Sequence, residues 1–412
     1  MSWKYGMIFA VWFTQVVNYM ERVVMGFAGP SMMQTLHIEP KVFGAVLSSF
    51  AFGYFLAQIP GGMIADRWGA RRVLIIGPLF WALFTGITGL MASVTALIIV
   101  RFCFGLAEGV SNAASYKVVG DNYDTKTRAR AVALWVTAFA VAPAFTGPAV
   151  GYLLTSFSWQ WVFAMLAIPA LIVAAMNYAL IAHATAAIIP AKTVPRARAF
   201  EPTVLRDLLR EPSIWLIGAA YGLWNIAYWG FLGWMPSYLA MARHIDIKSA
   251  GVLGGLPYMC ALVGVVLTGW LGSGPFYRHR PKLLAATYLL AGVSLYTAYS
   301  ATDLTGSLVG LSSAAFFIYA GLATYGMVVL DLAPEKTRAA YSGIVSTMGQ
   351  VGSVTAPTII GYLVSETGTF TSGFIFMIAS LCLAAVSALA LVPFSSVRQG
   401  GIATTPALTL TD

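Results

Sequence analysis

The stretch Arg101-Phe-Cys-Phe-Gly-Leu-Ala-Glu108 sets an arginine and a glutamate inside a run that is otherwise apolar and long enough to cross a bilayer. On a helix turning 100° per residue, seven steps bring Glu108 to within about 20° of Arg101, so both side chains leave one face two turns apart. A charge near the middle of a membrane costs roughly 2.5 to 3.5 kcal/mol on insertion scales, so such residues face a water-filled cavity or each other. The spacing therefore predicts a face that lines a substrate pathway.

The remainder of the chain supplies the membrane around that face. Hydrophobic residues make up 59% and charged residues 9%, with a mean hydropathy of +0.78; soluble domains carry about 25% charged residues. At about 20 residues per span, 412 residues leave room for twelve helices. The predicted spans are 5–29, 42–64, 72–92, 94–117, 128–154, 159–182, 213–240, 248–272, 281–300, 304–331, 337–364 and 370–393. The short lead from Met1 to Tyr5 runs directly into a full-length span, so no cleavable signal is expected. Pro190, Pro195, Pro202 and Pro212, beside five basic residues, mark a linker. The expected organisation is an N-terminal six-helix bundle over 1–182, a cytoplasmic linker over 183–212, a C-terminal six-helix bundle over 213–393 and a polar cytoplasmic tail over 394–412.

A net charge of +9 raises the question of nucleic acid, and the placement of the 24 basic residues answers it. The odd-numbered loops hold only Lys41, Arg243 and Lys248. The even-numbered loops hold nearly all the rest, among them Arg67, Arg71, Arg72, Lys126, Arg128 and Arg130 in the first half. By the positive-inside rule the even loops and both termini are cytoplasmic, so the charge reports orientation in a bilayer rather than a nucleic-acid partner. Cys103, Cys260 and Cys382 fall in separate spans, which argues against a disulfide framework and reads as small core residues. His37, His183, His244 and His279 lie in or beside loops, so neither a histidine metal site nor a buried histidine relay is expected. No cofactor is implied, and no clustered nucleophile, metal set or soluble catalytic domain points to an enzyme.

The halves echo each other. Lys126-Thr-Arg-Ala129 recurs as Lys336-Thr-Arg-Ala339, and Gly147-Pro-Ala-Val-Gly-Tyr-Leu-Leu154 is answered by Ala356-Pro-Thr-Ile-Ile-Gly-Tyr-Leu-Val364 with the prolines 209 apart. Spans five and eleven are thus expected counterparts, and transporters built from repeats carry their substrate site at the repeat interface near the midplane.

The first even loop reads Gly62-Met-Ile-Ala-Asp66-Arg67-Trp-Gly69-Ala-Arg71-Arg72. Its glycines permit a tight turn, and Asp66 can cap a helix or pair with a guanidinium. This segment resembles the loop-two signature of the major facilitator superfamily. The resemblance implies two six-helix bundles with pseudo-twofold symmetry, and a role for Gly62, Asp66, Arg67, Gly69, Arg71 and Arg72 in latching the cytoplasmic side. In span one, Asn18-Tyr19-Met20-Glu21-Arg22 is similar to a segment of the anion:cation symporter family, which includes sugar-acid carriers, D-galactonate carriers among them, and vesicular glutamate and sialic acid transporters. Gly53-Tyr54, Gln58-Ile-Pro-Gly-Gly62, Trp234-Met-Pro-Ser-Tyr238 and Gly349-Gln350 extend the likeness through most of the chain.

From chemistry alone, Arg22 and Arg101 are the only arginines well inside predicted spans, and Glu21 and Glu108 the only carboxylates comparably deep. A guanidinium matches a carboxylate bidentately, so a substrate carboxylate can compete with Glu108 or Glu21 and thereby couple binding to protonation. The alternative is two static salt bridges that fix packing. The resemblance implies the arginines for the anion, Arg101 foremost, and Glu21 and Glu108 for proton coupling. It also implies that Tyr19 and Tyr54 face the substrate. Trp229, Asn225, Ser346 and Gln350 are candidate contacts, with ordinary packing the alternative for Trp229 and Asn225. Where several relatives are polar in span five, this chain reads Trp135-Val-Thr-Ala-Phe139, which favours a smaller or more apolar carboxylate than a sugar acid. Lys117 is expected to snorkel toward headgroups. Gly105 with Gly109, and Gly218 with Gly222, read as packing sites.

The expectation is a secondary transporter of the inner or plasma membrane, monomeric, moving an organic anion with protons by alternating access. A uniporter, an anion exchanger and a transporter-like sensor are the alternatives.

Overall fold

The computed structural model of the protein describes residues 2–123, 125–184, 202–334 and 337–394. Most of the expected linker and all but the first residue of the expected tail lie outside the described residues, as do the side chains of Lys126, Thr127, Arg128 and Ala129 and the whole of Lys336.

Among the described residues the regular structure is helical. Six spans make the first half: α1 (Ser2–Leu36), α2 (Pro40–Trp68), α3 (Ala70–Thr88), a fourth span of α4 (Val94–Gly109) and α5 (Ser111–Asn122), α6 (Thr125–Leu153) and α7 (Trp159–Ala184). A short α8 (Pro202–Leu209) precedes the second six: α9 (Pro212–Ser237), α10 (Ile247–Ser273), α11 (Arg280–Ser300), α12 (Leu304–Leu332), α13 (Arg338–Thr367) and α14 (Thr371–Leu389). An even number of crossings returns both termini to the end of the molecule that carries loop two.

Three details differ from the sequence expectation. Helix α1 continues through Pro30 to Leu36 rather than stopping at residue 29, because helix packing in a membrane tolerates the one backbone hydrogen bond that proline removes. Span four runs on to Asn122 instead of ending at residue 117, with Val110 between α4 and α5 keeping helical dihedrals. Part of the linker, Pro202–Leu209, forms a helix that buries Leu208. Nine helical stretches among the described residues are long and apolar enough to cross a membrane on composition alone. Helices α1, α9 and α13 fall short because they carry the intramembrane charges, the row of Trp and Tyr, and many Ser, Thr and Gly respectively. They are spanning helices that face protein more than lipid.

The halves meet reciprocally, α2 of the first on α13 of the second and α6 on α10. Small residues bring these backbones together: a Cβ on Gly44 would lie 2.5 Å from the Pro357 carbonyl oxygen, and one on Gly147 would lie 2.6 Å from that of Gly251. Spans five and eleven, which echo in sequence, are the pair that cross the interface in this reciprocal way. Hydrogen bonds join the same end: Thr358 Oγ1 and Ser48 Oγ lie 2.8 Å apart, and the Lys41 backbone N–H donates to Ser365 Oγ at 2.9 Å. All of these contacts lie toward the loop-one end, which is sealed.

Local devices fix that end further. Asp246 caps α10, and the hydrogen bond from the Ser249 backbone N–H holds its carboxyl below the usual range. Arg243 caps the C-terminus of α11, donating to the carbonyl oxygens of Ala298, Tyr299 and Ala301 at 3.2, 3.4 and 2.7 Å. Gly105 and Gly109 let α4 approach α2, since a Cβ on Gly109 would lie 2.6 Å from the Tyr54 carbonyl oxygen. Cys103 and Cys260 are half-buried, whereas Cys382 is exposed on α14 rather than set in the core. In a bilayer the outer surface is itself apolar, so a cysteine gains little by turning inward.

Candidate functional site

A cavity of about 480 Å³ lies between the halves, within the range typical of small-molecule sites. Its wall includes Tyr19, Arg22, Tyr54, Asn225, Trp229, Ser346 and Gln350, seven of the eight residues named from sequence as substrate contacts. The eighth, Arg101, does not line it. The cavity wall continues toward the loop-two end through Asn112, Tyr116 and Tyr325, and Tyr116 is 53% exposed, marking the mouth.

Helix α1 presents Asn18 and Arg22 one turn apart, and the Arg22 guanidinium closes the deep end of the cavity. Its Nη2 donates to Glu108 Oε2 at 2.8 Å and to Asn18 Oδ1 at 3.5 Å. The Glu108 partner comes from α4, so Glu108 reaches across to α1 instead of pairing along its own helix with Arg101. Aromatic rings box in the guanidinium carbon, with centroids 4.4 Å away for Tyr19, 4.7 Å for Tyr54 and 5.3 Å for both Phe50 and Trp229.

Phe50 divides this region in two. Its ring also lies 5.0 Å from the Arg101 guanidinium, which rests 4.5 Å from Phe104 on the far side. Arg101, Glu21 and Thr85 form a second, buried cluster, in which Arg101 Nε and Nη1 and Glu108 Oε1 have no hydrogen-bond partner among the described residues. Such atoms are rare because each forfeits its hydration. Two arginines and two glutamates are thus buried together, with Glu108 paired to Arg22. The Arg22–Glu108 contact adjoins the cavity, and Glu21 is buried beyond it.

At the loop-two end, Gly69 joins α2 to α3 with φ +88°, a conformation that excludes most side chains. Asp66 does not cap α3, whose N-cap is Gly69; its Oδ1 pairs with Lys117 Nζ at 3.2 Å. Lys117 also lies 4.0 Å from Asp121 on its own helix, so carboxylates from α2 and α5 hold it where snorkelling was expected. Arg67 and Arg72 are exposed, Gly62 is buried, and Arg71 has its Nε buried without a partner among the described residues.

Sequence reading missed Gln58, Asn112, Tyr116, Tyr221, Trp224, Tyr228 and Tyr325, all of which line the cavity. The spacing 221, 224, 228 on α9 was an available signal, since it sets three rings on one helical face.

Twelve spanning helices in two reciprocal bundles, with a mid-depth cavity closed by a buried ion pair, define a multi-pass membrane transporter. The chain belongs to the Major Facilitator Superfamily, which matches it over residues 11–330. It is 25% identical over 388 residues to a hexuronate transporter of Bacillus subtilis, with 90% of each chain covered. It is 28% identical over 420 residues to a probable galactarate/D-glucarate transporter of the same organism, covering 95% of this chain and 92% of the relative. Among solved structures, a bacterial homologue of the human lysosomal transporter Spinster, inward-facing and unoccupied, superposes with a TM-score of 0.75 at 18% identity, covering 97% and 96% of the two chains.

Proposed function

We propose that the protein is a secondary active transporter that carries an organic carboxylate across the inner, or plasma, membrane together with protons, by alternating access. The observation that carries this reading is the Arg22–Glu108 pair, 2.8 Å long and buried, beside a cavity that Arg22 lines. A substrate carboxylate entering the cavity matches the guanidinium fork and competes with Glu108 for it. A released Glu108 is then a buried carboxylate without its partner, and taking up a proton removes that cost. Protonated, it becomes a neutral hydrogen-bond donor, and Glu21, the other fully buried carboxylate, shares the coupling role. Relatives named for hexuronate and galactarate/D-glucarate transport support an organic acid as cargo.

By the positive-inside rule, the loop-two end and both termini lie in the cytoplasm. The cavity then opens inward while the α2–α13 and α6–α10 contacts seal the outside. The loop-two segment with its Gly69 bend and Asp66–Lys117 pair is the part that latches when the cavity closes on the cytoplasmic side.

Proteoliposomes test the coupling. Glu108→Gln, which imitates the protonated acid, is expected to lose accumulation driven by a pH gradient while retaining counterflow exchange. Undiminished accumulation in that variant removes Glu108 from the coupling. Wild-type flux indifferent to the gradient assigns uniport or exchange instead of symport.

A further inference from the structure

The walls of the cavity differ from what a polyhydroxylated acid needs. On the C-terminal side, Tyr325 and Tyr221 stack at 3.9 Å and 5°, Tyr221 and Trp224 at 5.6 Å and 12°, and Trp224 and Tyr228 at 4.8 Å and 26°. This is a continuous row of rings from the mouth toward Arg22. Facing it, Tyr116 meets Trp135 at 4.6 Å, Trp135 meets Phe139 at 5.2 Å, and Phe139 meets Tyr19 at 4.7 Å. Two aromatic walls thus run from the opening to the guanidinium.

Several of the polar groups between them are engaged within the protein. Asn112 donates to the Tyr54 hydroxyl, and Asn225 donates to the Tyr221 carbonyl oxygen at 3.0 Å. Gln350 Oε1 accepts from Ser353 at 2.7 Å, and the Tyr19 and Tyr228 hydroxyls lie 3.3 Å apart. A sugar acid would bring several hydroxyls, each costing roughly 1–3 kcal/mol if buried unmatched. Arg22 is the only charged side chain among the described residues that line the cavity, so one carboxylate is matched and a second is not. Arg22 Nε is itself buried without a partner, a donor still to be satisfied at the deep end.

We propose that the cargo is a planar aryl monocarboxylate, its carboxylate on Arg22 and its ring between the two aromatic walls. This rests on the reading of Arg22 as the carboxylate site. An aryl acid offers two π faces to rings that prefer offset or edge-on partners, and each such contact adds to simple burial. The same cavity then disfavours the aldarates and uronates for which the relatives are named.

Calorimetric titration of the purified full-length protein with benzoate, cyclohexanecarboxylate, glucuronate and galactarate separates the possibilities. Benzoate is expected to bind about tenfold more tightly than cyclohexanecarboxylate, which has the same charge and a similar bulk without the π face. The two sugar acids are expected to bind more weakly than either. Trp224→Leu should bring the ratio of benzoate to cyclohexanecarboxylate affinity toward unity. Equal affinity for the two ring acids, or tighter glucuronate or galactarate, overturns the aryl assignment and leaves Arg22-dependent acid transport standing. If none of the four binds in an Arg22-dependent way, both readings fail.

Discussion

The N-terminal half holds all four buried charged side chains among the described residues: Glu21, Arg22, Arg101 and Glu108. The C-terminal half faces them with Tyr221, Trp224, Asn225, Tyr228, Trp229 and Tyr325. Both halves repeat one six-helix plan and meet through equivalent helices, yet only the first supplies buried charge, while aromatic rings come from both. The two halves share one scaffold plan, and the chemistry differs on matching faces. A site between two bundles can divide its work in this way because closing the cavity is what brings the two contributions together.

Mutations on the two sides should cost very different amounts. Glu108→Ala leaves the Arg22 guanidinium buried without its carboxylate, and a loss of about 3–5 kcal/mol is expected. Asn225→Ala removes one hydrogen bond on the opposite wall and should cost about 1 kcal/mol. Thermal unfolding of the purified variants reads both, and similar losses would erase the distinction between the halves. The contact that joins them gives an intermediate effect. Gly44→Val introduces a side chain against the Pro357 carbonyl and the Thr358 backbone, and overpacking of this kind costs about 1–3 kcal/mol. Spin-label distances across the loop-one end should lengthen in a fraction of molecules, while those across the loop-two end shorten. Unchanged distances would mean that this contact does not hold the present conformation.

The parts of the molecule legible in the sequence were those where a residue type is expensive in its setting. Arg22 and Glu108 stood out because a membrane penalises charge, and the loop-two segment stood out because Gly69 and its basic neighbours have few uses in an apolar chain. Twelve spans followed from hydropathy, even for α1, α9 and α13, whose composition is diluted by polar or aromatic residues. Tyr221, Trp224 and Tyr228 were missed because a ring facing a cavity and a ring facing a core look alike in one sequence. The pairing was not legible either. Helical spacing groups Glu108 with Arg101, but the approach of α1 to α4 gives Arg22 the carboxylate and leaves Arg101 behind Phe50. Tertiary contact, set by Gly105 and Gly109 packing on α2, decides which arginine meets the cavity.

The affinity of the Arg22→Ala variant for a carboxylate ligand of the wild-type protein tests this assignment most directly. Equilibrium binding should weaken by about 100-fold or more, as expected when one member of a buried charge-paired contact is removed. An Arg22→Ala protein that folds and binds that ligand with wild-type affinity would contradict the account.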